Sequence, residues 1–495
     1  MRAGSVLAAA PDEFVNEQFT RVSTAVQNVI FYSVPVAGVD VPLVVAWLAL
    51  AAIVFTVYFR GINATGFGHA IGLVRGQYTK PDEVGEVSHF QALATAVSGT
   101  VGLGNIAGVA VAITIGGPGA TFWMILAGLL GMASKFTECT LGVKYRRENA
   151  DGTVSGGPMF YLSRGLAEQG KAGLGRVLAA AFAVFCIFGS LGGGNAFQSN
   201  QAFAQMRDVT GGEDGFLGGG AAGVVFGVVL AAVVGVVIIG GIKRIAKVTD
   251  KLVPFMAVFY VLACLIVLGG NLGSIPEAIR LIITGAFSPE GVTGGVIGVL
   301  ITGVQRAAFS NEAGLGSAAI AHSAVQTNRP VTEGYVALLE PFIDTVVICT
   351  LTALTIIVTG AYTTGGTEGV QLTSDAFETV LPWFPNVLAV AVVLFAFSTQ
   401  LAWSYYGAKA TAYLTNENKI ADTVYKAVFL LFVVIGAASS LETIIGFSDA
   451  MIFAMSIPNI IGLYLLARVV RRELDEYRAD LRSGVISKVT AGQGH

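Results

Sequence analysis

Charge is what this chain has least of. Only 12% of its 495 residues are Asp, Glu, Lys or Arg, about half the share carried by a soluble domain, which excludes an ordinary solvated globular protein. Cysteine and histidine are equally scarce, with four of each. Cys139, Cys186, Cys264 and Cys349 stand singly in apolar runs, as buried small hydrophobes do. The histidines are scattered without an HExxH pair, and no GxxxxGK[ST] phosphate loop occurs. The sequence therefore offers no visible metal centre, resident cofactor or ATP site. A net charge of −3 gives no sign of a nucleic-acid partner, and the absence of a short repeat excludes a fibrous protein.

What the chain does have is apolar surface and glycine. It is 54% hydrophobic with 63 glycines, and its mean hydropathy is +0.72. Small residues let membrane helices approach closely where no hydrophobic effect drives them together. The reading is an all-α polytopic membrane protein. The N-terminal apolar run is too short for a signal-peptide core and is followed at once by Asp12 and Glu13. Residues 13–38 read instead as an amphipathic segment lying on the membrane surface, within an extracytoplasmic segment 1–40.

Crossing roughly 30 Å of hydrocarbon takes about 20 apolar residues. Eleven runs qualify, near 41–60, 89–116, 119–144, 176–206, 218–241, 252–272, 295–322, 333–360, 386–412, 423–441 and 446–470. Lesser helices are expected near 64–78 and 276–287. With the N-terminus outside, 23 lysines and arginines fall in inner segments and four (Arg2, Arg21, Arg207 and Arg280) in outer ones. That bias predicts a multi-pass protein of the cell membrane with a cytoplasmic tail at 471–495.

Setting aside the first span (41–60) leaves ten, which divide into a first set within 61–272 and a second within 273–470. Each set opens with a glycine-interrupted span, "SGTVGLGN" from Ser98 and "FSNEAGLGS" from Phe309. Five is odd, so the second set enters from the opposite face. Interrupted helices at matching positions of an inverted repeat point to a transporter's central site. A helix broken in mid-membrane frees N–H groups on one half and C=O groups on the other, which protein, water or ligand must satisfy. The N–H end suits a carboxylate, and the C=O end an ammonium group or sodium. One such break could equally be a small-residue packing motif; the matched pair favours a ligand site.

The stretches "SGTVGLGNIAGVAVAITIGGPGATFWMILAGLLGMASKFTECTLGVKYR" (98–146), "SGGPMFYL" (155–162), "RAAFSNEAGLGSAAIAHSA" (306–324) and "FSTQLAWSYYG" (397–407) closely resemble the alanine or glycine:cation symporter family, over roughly 60–470. The resemblance implies sodium-coupled, sometimes proton-coupled, uptake of small neutral amino acids. It also implies the LeuT-type, APC-like five-plus-five inverted repeat with two broken helices. Carried over by motif, Thr100, Gly102, Gly104 and Asn105 would face the substrate carboxylate, and Ser310, Asn311 and Gly314 the ammonium group. Gln198 would hydrogen-bond substrate, and Asn195, three residues earlier, would share its helix face. Trp403 would form a wall limiting side-chain size. Ser398 and Thr399, with carbonyls near Gly99 and Gly102, would hold sodium without a carboxylate. The two hydroxyls could instead bond their own helix, Trp403 could be plain packing, and Asn195 could bond between helices.

Ionisable groups within spans are functional suspects. Arg306, Glu312, Glu340, Asp344 and Asp449 all qualify. Arg306 is expected to pair with Asp449 or Glu312 near the outer gate, and Lys135 with Glu138 as a structural pair near the inner end of its span. A passive channel would lack saturable, gradient-driven accumulation. An intramembrane enzyme would need a nucleophile and base at facing depths, and His322 and the lone cysteines form no such set. No enzymatic activity is expected. The choice of alanine or glycine, of sodium or proton, and the oligomeric state stay open at this level.

Overall fold

The computed structural model describes residues 11–78, 83–149, 152–288, 292, 294–366 and 368–488. Arg2, Lys80 and the signal-peptide question at residues 1–10 lie outside them. Helix α1 (Pro11–Ile30) is followed by a two-stranded antiparallel hairpin, β1 (Ser33–Val36) and β2 (Val39–Pro42), and then by α2 (Leu43–Tyr58). The predicted surface segment is thus a helix plus a hairpin. The helix seats on protein, since buried Ser23 donates to the Thr443 carbonyl at 2.8 Å.

After two short helices, Ile62–Thr65 and Phe67–Val74, come α3 (His89–Thr100) and α4 (Gly104–Gly116), one span bent by 51° at its break. A Ser88/Gln91 capping box starts α3, satisfying orphan N–H groups reciprocally. Next come α5 (Ala120–Lys144), α6 (Ala172–Val209), α7 (Ala222–Ile238), α8 (Gly241–Gly270) and the short α9 (Ile275–Phe287). The second interrupted span is α10 (Gly295–Asn311) and α11 (Ala318–His322). The chain ends with α12 (Pro330–Thr359), α13 (Val370–Glu378), α14 (Phe384–Leu414), α15 (Lys419–Ala438) and α16 (Leu441–Arg482).

Among the described residues, seven helices are long and apolar enough to cross a membrane, and the bent pair makes an eighth. The shorter α2, α7 and α10–α11 occupy the remaining predicted runs. The outside of the bundle is apolar: Val228 and Val229 on α7 and Phe255 and Val258 on α8 are exposed. The inside is partly polar, and α3 packs there between α8 and α14 while α10 packs on α5 and α4. In water such an arrangement would be inverted; in lipid, buried polar groups need only find partners.

Candidate functional site

Both breaks lie in the middle of the bundle. At the first, the backbone groups freed by unwinding are taken up by side chains. The Gly102 N–H donates to Asn105 Oδ1 at 2.9 Å, and the Leu103 N–H donates to Gln198 Oε1 at 3.1 Å. Gln198 in turn donates to the Gly193 carbonyl at 2.8 Å. From α14, Thr399 Oγ1 donates to the Ser98 carbonyl (3.0 Å), and Ser98 Oγ donates back to the Ser398 carbonyl (2.8 Å). A Cβ at Gly102 would run into Thr399 Oγ1, so a side chain there would have to displace that hydroxyl.

The second break begins at Glu312, a non-glycine residue with φ +57°, a conformation that costs an L-residue roughly 1–2 kcal/mol. Its carboxylate accepts from the Trp403 indole N–H at 3.0 Å and from the Ser317 hydroxyl. The Ala313 N–H donates to Asn311 Oδ1, and Asn311 Nδ2 donates to Thr345 Oγ1, both at 2.9 Å. The breaks face each other through Gly104, whose missing Cβ would lie 3.3 Å from Ser310 Cα. Asn105 Nδ2 and Ser310 Oγ both donate to Asp344 Oδ1 on α12, at 2.6 and 3.2 Å. One buried cluster therefore gathers Gly102, Gly104, Asn105, Gln198, Ser310, Asn311 and Thr399, together with Ser398 by its carbonyl.

Other predicted residues sit differently. Thr100 Oγ1 turns back to the Ala96 and Val97 carbonyls, and Ser398 Oγ to the Phe395 carbonyl. Gly99 faces Tyr406. Gly314 packs against Leu48 of α2, and its carbonyl accepts from Asn459. Asn195 and Gln198 take different partners. Asn195 lies in a π-helical turn, Gly192–Ala196, that interrupts α6, and Gln198 lies in the regular helix that follows. Asn195 instead donates to the Phe429 carbonyl (2.6 Å) and accepts from Gln400 (3.0 Å), bonding helix to helix. Trp403 packs on that turn, where a Cβ at Gly194 would collide with its ring. All four cysteines are buried and free, but Cys349 is not in purely apolar surroundings, since Asn105 Nδ2 lies 3.3 Å from its sulfur.

Arg306 pairs with Asp449 of α16 and not with Glu312, and Gln305 Nε2 donates to the same carboxylate at 2.8 Å. Gln305 and Asp449 line a cavity of about 810 Å³ at the hairpin end of the bundle, together with Gln27, Tyr32, Thr114 and Glu368. Lys135 does not pair with Glu138. It reaches Glu340 at 2.9 Å, whereas Glu138 accepts from Asn459 at 2.8 Å.

At the other end, away from the hairpin, lies a network that sequence reasoning missed. His89 Nδ1 lies 2.5 Å from one oxygen of Glu333, and His322 Nδ1 lies 2.6 Å from the other. His322 Nε2 is 3.6 Å from Glu340, which carries the chain on to Lys135. All five side chains are buried. The network fastens α3, α11, α12 and α5 together. His89 and Glu333 each open a predicted span, where polar residues look like solvated ends.

The family model described as "Sodium:alanine symporter family" matches residues 24–491. The "Sodium/alanine symporter AgcS" of Methanococcus maripaludis is 41% identical, over 82% of this chain and 87% of that protein. The "Putative sodium/proton-dependent alanine carrier protein YrbD" of Bacillus subtilis is 36% identical, over 82% and 84%. In shape, the chain is similar to the crystal structure of MhsT in complex with L-phenylalanine, with a TM-score of 0.50 and 14% identity over 79% of this chain and 99% of that one.

Proposed function

The chain belongs to the sodium:alanine symporter family, and on that premise we propose that it is a secondary active transporter coupling sodium to uptake of small neutral amino acids, alanine or glycine. Eleven spans, one plus a five-plus-five inverted repeat (61–272 and 273–470), cross the cell membrane with the N-terminus outside. The hairpin end is then the outer face. The substrate lies between the two breaks, its carboxylate at the α4 side near Gly102, Gly104 and Asn105, its ammonium group toward Ser310 and Asn311, and Gln198 beside it. Trp403 closes the pocket through its hold on Glu312. Sodium binds by Thr399 and the carbonyls that end α3.

Alternating access follows from where the ties are. Asp449, which lines the outer cavity, and its partner Arg306 act as an outer latch, while His89–Glu333–His322 acts as an inner one. Substrate and ion together bring the two broken helices into contact, so that both latches close around a fully loaded site or an empty one, and rarely around sodium alone. A sodium gradient drives uphill uptake if forms carrying sodium alone reorient rarely.

The observation that carries this reading is the meeting of two broken helices at Gly104 and Ser310, each break lined by polar side chains. The test is alanine and glycine uptake into proteoliposomes under an imposed sodium gradient and then a proton gradient. Saturable accumulation that requires sodium is expected. A proton in sodium's place is the alternative, supported by the relative named for both ions; accumulation driven by protons alone would select it. Equilibration without accumulation would sink both.

A further inference from the structure

The segment between α5 and α6 lies at the end of the bundle that holds His89, since the Val154 N–H donates to Glu86, just ahead of α3. In this segment Arg147–Glu148 pairs as a short strand with Val154–Ser155, and a helix follows from Pro158 to Glu168. With the end of α14 they border a cavity of about 380 Å³, separate from the cluster at the two breaks. Three cations line it, Arg147, Arg164 and Lys409, against one carboxylate, Glu417.

The cations are held in place. Arg147 and Arg164 both set a guanidinium against the ring of buried Phe160, 5.7 and 5.6 Å from its centroid. Arg147 pairs with Glu417. Arg164 donates to the Arg146 carbonyl at 3.1 Å and makes no ion pair among the described residues. Lys409 Nζ donates to the Val154 carbonyl and to Ser155 Oγ, both at 3.1 Å. Like charges gathered in one cavity repel, and an anion relieves them. The planar fork of arginine matches phosphate oxygens.

Apolar side chains stand beside this charge. Leu414, in the same lining, is exposed, and so are Leu174 and Val177 on α6. That helix adjoins, since a Cβ at Gly175 would meet the Leu162 carbonyl. Cations next to exposed apolar groups suit a molecule with a charged head and an apolar tail better than a soluble ion. We propose that this cavity binds the phosphate of an acidic phospholipid of the inner leaflet, between Arg147, Arg164 and Lys409. The choice of leaflet rests on the orientation proposed above. Basic pockets beside spans hold such headgroups, and each Lys or Arg near an anionic surface is worth about fivefold in affinity. The bound phosphate would join α14, which carries Thr399, to the segment that fastens on Glu86 at the base of α3.

The test counts lipids on the purified full-length protein in detergent by native mass spectrometry, with phosphatidylglycerol and phosphatidylcholine of identical chains as probes. The wild type should hold one phosphatidylglycerol at least tenfold more tightly than phosphatidylcholine. Arg164→Gln should cut that preference about fivefold, and Glu417→Gln, which removes the competing carboxylate, should raise it. Both residues are exposed, so the fold should survive either change, which a thermal melt verifies. Arg176→Gln, at an exposed cation of α6 outside the cavity, should leave the preference unchanged. No preference in the wild type overturns the proposal. So do equal losses in Arg164→Gln and Arg176→Gln, which would mean diffuse attraction to a basic surface. Displacement of the lipid by millimolar potassium phosphate at constant ionic strength would make free phosphate the ligand and overturn the lipid assignment. Failure of sodium-driven uptake in vesicles would overturn the transport reading and not this site, because the lipid is counted in detergent solution.

Discussion

His89 and Glu333 lie 244 residues apart in the chain, yet their side chains meet at 2.5 Å. His89 is the first residue of α3, the half-helix that ends at the first break, and Glu333 sits in the first turn of α12. The contact clamps the base of the half-helix that has to move if the site opens at that end.

Replacing Glu333 with Gln removes the charge shared by His89 and His322. A cysteine at Ala402, a buried neighbour of Gly99, reports access to the end of α3. Labelling of that cysteine by an impermeant thiol reagent from the tail side should rise several-fold in Glu333→Gln. Unchanged labelling would mean that the network is a permanent strut.

Arg306 and Asp449 should behave as a unit. Removing one partner strands a buried charge, a loss of about 3–5 kcal/mol, whereas removing both avoids it. Arg306→Ala should therefore melt at a lower temperature than Arg306→Ala with Asp449→Ala. The double variant should also lose the outer latch and leak substrate in efflux assays. Additive melting losses would contradict a coupled pair.

Gln198 satisfies the Leu103 N–H at the break. Gln198→Leu leaves that donor unpaired in a buried site, costing about 1–3 kcal/mol. Alanine uptake should fall at least tenfold while Gln198→Glu, which keeps an acceptor, retains more of it. Equal activity in the two would show that the bond does not matter.

Trp403→Phe keeps a ring over the Gly194 turn but loses the N–H donated to Glu312. A hydrogen bond to a charged group is worth about 1.5–3 kcal/mol. Alanine kcat/KM should drop about tenfold or more without a comparable fall in melting temperature. If uptake instead extends to larger side chains at unchanged alanine rates, Trp403 is a wall and nothing else.

Thr399→Ala removes the hydroxyl that meets the Ser98 carbonyl, whereas Thr399→Ser keeps it. The sodium concentration for half-maximal uptake should rise about tenfold in the first and little in the second. Equal shifts would move the ion elsewhere.

The extent of the helices and the position of both breaks were legible in the sequence because they are local. A run of apolar residues long enough for the bilayer, or a glycine cluster inside one, is set by neighbours a few residues away. Most helices begin and end within about five residues of the predicted limits, although α8 starts at Gly241 instead of 252 and α16 continues to Arg482 instead of ending at 470. The interruption at Ser98–Gly108 is where α3 gives way to α4. Which polar side chains meet was not local. Asn195 and Gln198, three apart, take partners on different helices, Asn195 on α14 and α15 and Gln198 at the first break. Lys135 has Glu138 one turn away and pairs with Glu340 from another helix. His89 and Glu333 carry no motif at all. Spacing fixes directions only along an unbroken helix. Partner choice is decided by how helices cross, because in a lipid-embedded interior each buried donor or charge must take whatever complementary group the packing brings within reach. The sequence by itself determined the apolar runs and their breaks, and only the tertiary structure decided the buried pairings, Arg306 with Asp449 and Glu333 with His89 and His322.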